Sequence, residues 1–235
     1  MMITEDPNEV QRRLQEFYTV SDQTWSSMDE LGPGIFVYHD VIPTNSITRL
    51  EEVLNSERNP YQYSEAMVGY GMKMPEYRDC FDFKFKKTDI ESDRSSASIE
   101  LQDIWQSVYD QSIQPVKHYA NHFRTGELRY WEAMNFIKYG PGQHFQEHHD
   151  HGYSYNCVVS LVGYPNDDYE GGELYFRLQN LSVKPRAGDL FVFPSNFMYP
   201  HRAMPVKSGV KHSIVTMLDY SEKFHLPEFY QETNS

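Results

Sequence analysis

The stretch His144–Gly152, HFQEHHDHG, places four histidines, a glutamate and an aspartate within nine residues. Read as a strand, it sends alternate side chains to opposite faces. His144, Gln146, His148 and Asp150 share one face. Phe145, Glu147, His149 and His151 share the other. Three pairs can each aim two donors at one centre: His148 with Asp150, Glu147 with His149, and His149 with His151. Periodicity alone does not choose among them, and a two-residue pattern is often only a polar surface.

Working outward, the chain from Tyr130 onward reads as short β-type runs separated by turn residues: YWEAMNFIKY, GPGQ, the histidine stretch, NCVVSLVGY, PNDDYEGG, ELYFRL, LFVFPS, HRAMPV and KSGVKHSIVTMLDY. Regularly spaced strands with Gly, Pro and Asp turns predict a sandwich or barrel, and two sheets of antiparallel strands predict a jelly roll. Upstream, residues 1–32 read as a helical lead-in. GIFVYHDVI (34–42) reads as a strand. PTNSITRLEEVLNS (43–56) reads as a helix capped by Asn45 or Ser46, with Ile47, Leu50 and Leu54 inward. Residues 57–96 are Tyr- and Lys-rich, with strand-like alternation in CFDFKFKK (80–87). Residues 95–123 predict one long helix, or two broken near Pro115, with Ile99, Ile104, Trp105 and Val108 as the apolar face. No internal repeat, low-complexity tract or linker divides the chain. The expectation is an α+β fold: a single domain over 1–235, with a helix-rich supporting region (1–128) packed on a jelly-roll catalytic core (129–221).

Composition narrows the partners. The chain has 235 residues and a formal charge of −13. That excess argues against a nucleic-acid partner, since phosphate-backbone binding runs on Lys and Arg. Eighteen Tyr and 14 Phe favour strands and apolar pockets. Two cysteines in no zinc-type spacing predict a reducing compartment, the cytoplasm. The first residues, MMITEDPNEVQRRLQ, lack the apolar run of a signal peptide, and no run approaches the roughly 20 residues of a membrane span. Oligomeric state is not legible.

A metal centre needs a third ligand beyond a local pair. Two imidazoles and one carboxylate on one face, with open positions opposite, suit non-haem Fe(II). Outside the cluster stand His39, His118, His122, His201, His212 and His225. His201 stands out because it follows the apolar strand LFVFPS, so two strands remote in sequence can meet across a barrel cavity. Lys211 lies on the next strand within the apolar run GVKHSIVTML. A lysine buried there is costly without an anion, and Ser213 can share its face.

These residues bring out a resemblance covering Tyr130 to Tyr220. The chain resembles the Fe(II)- and 2-oxoglutarate-dependent dioxygenases, and within them the prolyl 4-hydroxylase-like group. YGPGQHFQEHHD matches that family's Tyr-to-HxD strand, YEGGELYF its GGE turn, VKPRAGDLFVFPS its paired strands and HRAMPVKSGVK its closing segment. The resemblance implies a double-stranded β-helix, with His148, Asp150 and His201 as catalytic iron ligands. It implies Lys211 and Tyr139 at the distal carboxylate of 2-oxoglutarate, assisted by Ser213. Fe(II), 2-oxoglutarate and O2 follow as cofactor and co-substrates, with ascorbate as a reductant. The implied reaction is hydroxylation of a C–H bond, of proline first, coupled to conversion of 2-oxoglutarate to succinate and CO2. His149 and His151 then point away from iron, and His144 becomes a neighbour of the ligands. Three departures bear on substrate: Leu174 replaces a common Thr, Met217 replaces a common Trp, and GYSYNCVVS (152–160) lacks an Arg found in many prolyl hydroxylases. The partner is therefore a proline-containing peptide or protein, or another target: a free amino acid, a small metabolite or a non-proline residue. A cupin-like metal-binding protein without enzymatic activity is the remaining reading, and the pairing of Lys211 with Tyr139 argues against it. Loops 57–80 and 164–171 are expected to close over the substrate.

Overall fold

The computed structural model describes residues 6–19, 27–56, 60–68, 71–152 and 155–225. In chain order the elements are α1 (Pro7–Thr19), β1 (Met28–Gly32), β2 (Ile35–Tyr38), α2 (Asn45–Leu54), β3 (Ser64–Glu65), β4 (Arg78–Asp79), β5 (Phe81–Phe85), α3 (Lys87–Ile90) and α4 (Ser96–Phe123). Then follow β6 (Tyr130–Trp131), β7 (Met134–Tyr139), β8 (His144–His148), β9 (Val159–Gly163), β10 (Glu170–Gly171), β11 (Leu174–Phe176) and β12 (Leu181–Val183). The last are β13 (Leu190–Pro194), β14 (His201–Ala203), β15 (Val206–Ser208) and β16 (Lys211–Asp219). The major sheet runs β1-β2-β13-β9-β16-β7-β5-β3, with β6 paired to β16, and the minor sheet runs β12-β11-β14-β8-β4. Every pairing within these two sheets is antiparallel.

Strand alternation sorts the apolar residues into two layers. Phe36, Tyr38, Leu190, Val192, Phe136 and Ile214 face the helices and pack with Leu50, Leu101, Ile104 and Val108. Ile35, Val37, Phe191 and Phe193 face the minor sheet and pack with Leu174 and Phe176. The fold is thus a two-sheet jelly roll with helices on one outer face.

Several expectations change. Residues 1–32 are not all helix: α1 is followed by β1, which forms a hairpin with β2 through Pro33 and Gly34, the latter at φ +75°. The first half is more than a helical support, since β1, β2, β3 and β5 extend the major sheet and β4 edges the minor one. Helix α2 has Thr44 at its N-cap without a side-chain bond, and Ser46 Oγ instead donates to Pro43 O at 2.6 Å. Helix α4 runs unbroken through Pro115, capped at its start by Ser95 Oγ, which accepts from Ser98 N at 3.1 Å. Pro115 is buried, so packing offsets the hydrogen bond its ring forfeits. Ile99, expected in the apolar face, is 56% exposed; Ile104 and Val108 are buried. Among the described residues no helix is long and apolar enough to cross a membrane.

Candidate active site

Strand β8 ends at His148, earlier than the strand reading of the histidine stretch requires. The chain then bends, and Ser195 O at the end of β13 accepts the N–H groups of Asp150 (3.2 Å) and His151 (2.9 Å). The bend turns the Asp150 carboxylate toward His148 even though pleat alternation has stopped. His201 opens β14, which is the antiparallel neighbour of β8, with His201 directly opposite His148. The two segments therefore meet side by side in the minor sheet rather than across the cavity. One donor atom from each of His148, Asp150 and His201 lies within 4.8 Å of the others. His148 Nε2 is 3.6 Å from Asp150 Oδ1, and His201 Nε2 is 3.8 Å from Asp150 Oδ2.

The chemistry of these donors fits a divalent cation. His148 Nδ1 lies 2.8 Å from Gln146 O, and His201 Nδ1 lies 3.1 Å from Tyr199 O. A carbonyl only accepts, so each Nδ1 carries the proton and each Nε2 presents a lone pair to the same point. Burial, then the neighbouring His201, pushes His148 down to about 3, which keeps it in the neutral, ligating form. Asp150 is held from behind: Ser160 Oγ donates to its Oδ2 at 2.5 Å and lies 2.7 Å from Ser195 Oγ. Phe145 stacks on His148 with ring centroids 3.7 Å apart and an interplanar angle of 16°.

The triad opens on a cavity of about 580 Å³ between the sheets. Lys211, fully enclosed, closes one end. Its Nζ donates to Gly172 O at 2.7 Å and sits 5.2 and 5.3 Å from the ring centres of Tyr139 and Tyr164. Among the described residues it has no carboxylate partner, and burial, then Lys184, lowers it to about 7. A buried ammonium flanked by aromatic faces and lacking a counter-ion fits the distal carboxylate of a dicarboxylic acid. Tyr139 lies opposite Lys211 in the β7–β16 register and Ser213 opposite Ile137, and all four line the cavity.

The structure thus brings together His148, Asp150, His201, Lys211, Tyr139 and Ser213. The other histidines divide differently than expected. His149 lines the cavity rather than pointing away from it, because the bend after β8 ends the alternation. His151 turns aside, with Nδ1 2.9 Å from Cys157 O. His144 is no neighbour of the ligands: its contacts are the Gly142 and Glu76 carbonyls. Of the two loops expected to cover the substrate, the first contributes Met67, Val68 and Tyr77 to the cavity. Residues 57–59 and 69–70 of that loop lie outside the described residues. The 164–171 loop contributes Tyr164 only. Sequence reasoning missed Tyr164, Ser160 and Phe145. The period-two pattern of β8 put Phe145 on the face opposite His148, so it gave no sign of their stacking, and nothing local marked Ser160 or Tyr164.

Residues 134–218 match the profile of the 2OG-Fe(II) oxygenase superfamily. Human procollagen-lysine,2-oxoglutarate 5-dioxygenase 2 is 29% identical over 128 residues, 52% of this chain and 16% of that protein. The chain thus spans about a sixth of the length of such lysyl hydroxylases. A putative prolyl 4-hydroxylase of Acanthamoeba polyphaga mimivirus is 28% identical over 181 residues, 68% of this chain and 69% of that protein. Among solved structures, a Trichoplax adhaerens prolyl hydroxylase in complex with a hypoxia inducible factor peptide superposes at a TM-score of 0.59. It shares 18% identity, over 94% of this chain and 96% of that one. A Pseudomonas putida prolyl-4-hydroxylase superposes at 0.57 with 17% identity, over 89% and 98%. At these identities the structural likenesses establish the jelly-roll fold.

Proposed function

We propose that this chain, which carries a domain of the 2OG-Fe(II) oxygenase superfamily, hydroxylates prolyl residues of a peptide or protein with Fe(II), 2-oxoglutarate and O2. The observation that carries the reading is the pairing of two features in one cavity. His148, Asp150 and His201 converge at its wall, and Lys211 lies at its closed end with no counter-ion among the described residues.

When bound, Fe(II) and 2-oxoglutarate supply an O2-dependent oxidation that converts the co-substrate to succinate and CO2 and inserts one oxygen atom into a C–H bond. The residues do the rest. His148 and His201 offer neutral imidazoles, and Asp150 offers the single charge. Lys211 anchors the distal carboxylate, with the Tyr139 hydroxyl and Ser213 beside it. Val162, Leu174 and Val215 line the middle of the cavity and exclude water from the reacting groups. Leu174 and Met217, two of the three departures noted in the sequence, both line the cavity and widen the choice of target. A second reading, a lysyl residue, is favoured by the lysyl hydroxylase relatives.

The test is mass spectrometry of proline- and lysine-containing peptides incubated with the protein, Fe(II), 2-oxoglutarate and ascorbate. The expected result is a gain of one oxygen mapped to proline. Oxygen mapped to lysine alone selects the second reading. Succinate release without modification of any peptide overturns both.

A further inference from the structure

The cavity has a polar end and a reacting end, and the strand registers fix their order. Along β16 the residues facing inward are Lys211, Ser213, Val215 and Met217, and along β7 they are Tyr139, Ile137 and Asn135. Lys211 lies opposite Tyr139, Ser213 opposite Ile137 and Val215 opposite Asn135. Each step of two residues advances by about 6.8 Å, so Asn135 stands about 14 Å from the Tyr139 level. The triad lies toward that same end, because Ser160, which holds Asp150, sits opposite Met217. Asn135 is therefore on the wall that a substrate meets, away from the co-substrate anchor.

Its amide is half satisfied. Asn135 Nδ2 donates to Asp82 Oδ2 at 3.3 Å. A carboxylate only accepts, so this bond fixes the amide orientation and turns Oδ1 elsewhere. Oδ1 is buried and has no hydrogen-bond partner among the described residues. Asp82 is itself braced, since Arg78 Nη2 donates to it at 2.9 Å while Arg78 Nη1 donates to Met67 O at 2.8 Å. The charges around this wall are already matched: Arg78 with Asp82, Lys84 with Glu132, and Lys73 with Glu65. Two buried groups on this wall have no hydrogen-bond partner among the described residues: Arg78 Nε, a donor, and Asn135 Oδ1, a neutral acceptor, which is the one aligned with the reacting end. A buried acceptor without a donor is costly, and the cost disappears when a donor arrives. The complementary group is a neutral N–H.

We propose that Asn135 is a specificity-determining residue whose Oδ1 accepts a hydrogen bond from a backbone N–H of the substrate peptide, its amide held in place by the Asp82–Arg78 pair. The inference rests on the peptide-hydroxylase reading and deepens it.

The test pairs a residue with a substrate atom. Peptides carrying the target residue are made with a single backbone N-methyl group at each neighbouring position in turn. In the wild type, one position of N-methylation lowers kcat/KM by about tenfold to hundredfold, the loss that follows from leaving a buried acceptor unmet. Asn135→Ala lowers kcat/KM for the unmodified peptide by a similar factor and is indifferent to that one N-methyl group. Asn135→Ser repeats the measurement in case the alanine variant fails to fold, as judged by its thermal transition and its Mn(II) affinity. Equal sensitivity of wild type and variants to the same N-methyl group overturns the inference while leaving the peptide reading intact. So does a wild type indifferent to every N-methyl group. A wild type that modifies no peptide at all overturns the reading and the inference together.

Discussion

Lys211 is the residue at which burial and function oppose each other most directly. Its ammonium would titrate at 10.5 in the open, and the protein holds it at about 7. Between those values the unfolded chain binds more protons than the folded one, so the Lys211 contribution makes the ligand-free protein more stable as pH rises through that window. A bound dicarboxylate reverses the preference and favours the protonated form. Affinity for 2-oxoglutarate should therefore fall as pH rises from 7 to 9, with proton uptake on binding. Calorimetric titration in buffers of different ionisation enthalpy reads both, and an affinity constant across that range would remove Lys211 from the role. Asp150 depends on a quieter neighbour. Ser160 is fully buried and donates to the carboxylate, so Ser160→Ala should weaken Mn(II) or Fe(II) binding about 10- to 100-fold, measured by equilibrium dialysis. Unchanged metal affinity would show that Asp150 needs no such support. Both ligand-bearing motifs and Lys211 were legible in the sequence because they belong to an ordered set of short motifs that carries a family resemblance. Ser160 and Tyr164 were not, since their meaning depends on which strands become neighbours.

At the scale of elements, short turns do what the strand pattern does not reveal. Periodicity offered His148 with Asp150 as one of three pairs, yet the strand stops before Asp150, and two N–H bonds to Ser195 O set the carboxylate instead. The GGE turn has an equally specific reason. Gly171 and Gly172 adopt φ of +71° and +66°, a region L side chains rarely enter. A Cβ on Gly172 would lie 3.0 Å from both Lys211 Cδ and Tyr169 Cε2. Gly172→Ala should therefore displace the lysine stem as well as strain the turn, raising the KM for 2-oxoglutarate several-fold or more while lowering the melting temperature. A variant with wild-type KM would show that the turn does not shape the anchor. Helix α4 settles an alternative that the sequence left open, one long helix or two broken near Pro115: it runs unbroken from Ser96 to Phe123, with Pro115 among its buried residues.

At the scale of the whole molecule, the site is a product of chain topology. Short strands from the first half, β2 and β5, flank β13 and β7; their strand character was legible in GIFVYHDVI and CFDFKFKK, but runs of four and five residues do not say which sheet or which neighbour they join. The later half was readable because its turns are closely spaced and its motifs fall in order. Helix α2 is tied to the outer face of the major sheet through Glu51, which takes hydrogen bonds from His212 (3.1 Å) and Lys138 (2.8 Å). Burial alone would raise that carboxyl, but these bonds outweigh it and hold it at about 2. This arrangement leaves the inner face of β16 free to carry Lys211, Ser213, Val215 and Met217 along the cavity.

The meeting of β8 and β14 brings three donors from two remote segments to one point, where they can hold one cation. Anaerobic equilibrium dialysis against Fe(II), with iron counted per chain, tests it most directly. The wild type should retain one iron per chain, and Asp150→Ala and His201→Ala should each lose it at the same free concentration. One iron per chain in either variant, bound as tightly as in the wild type, would contradict the account.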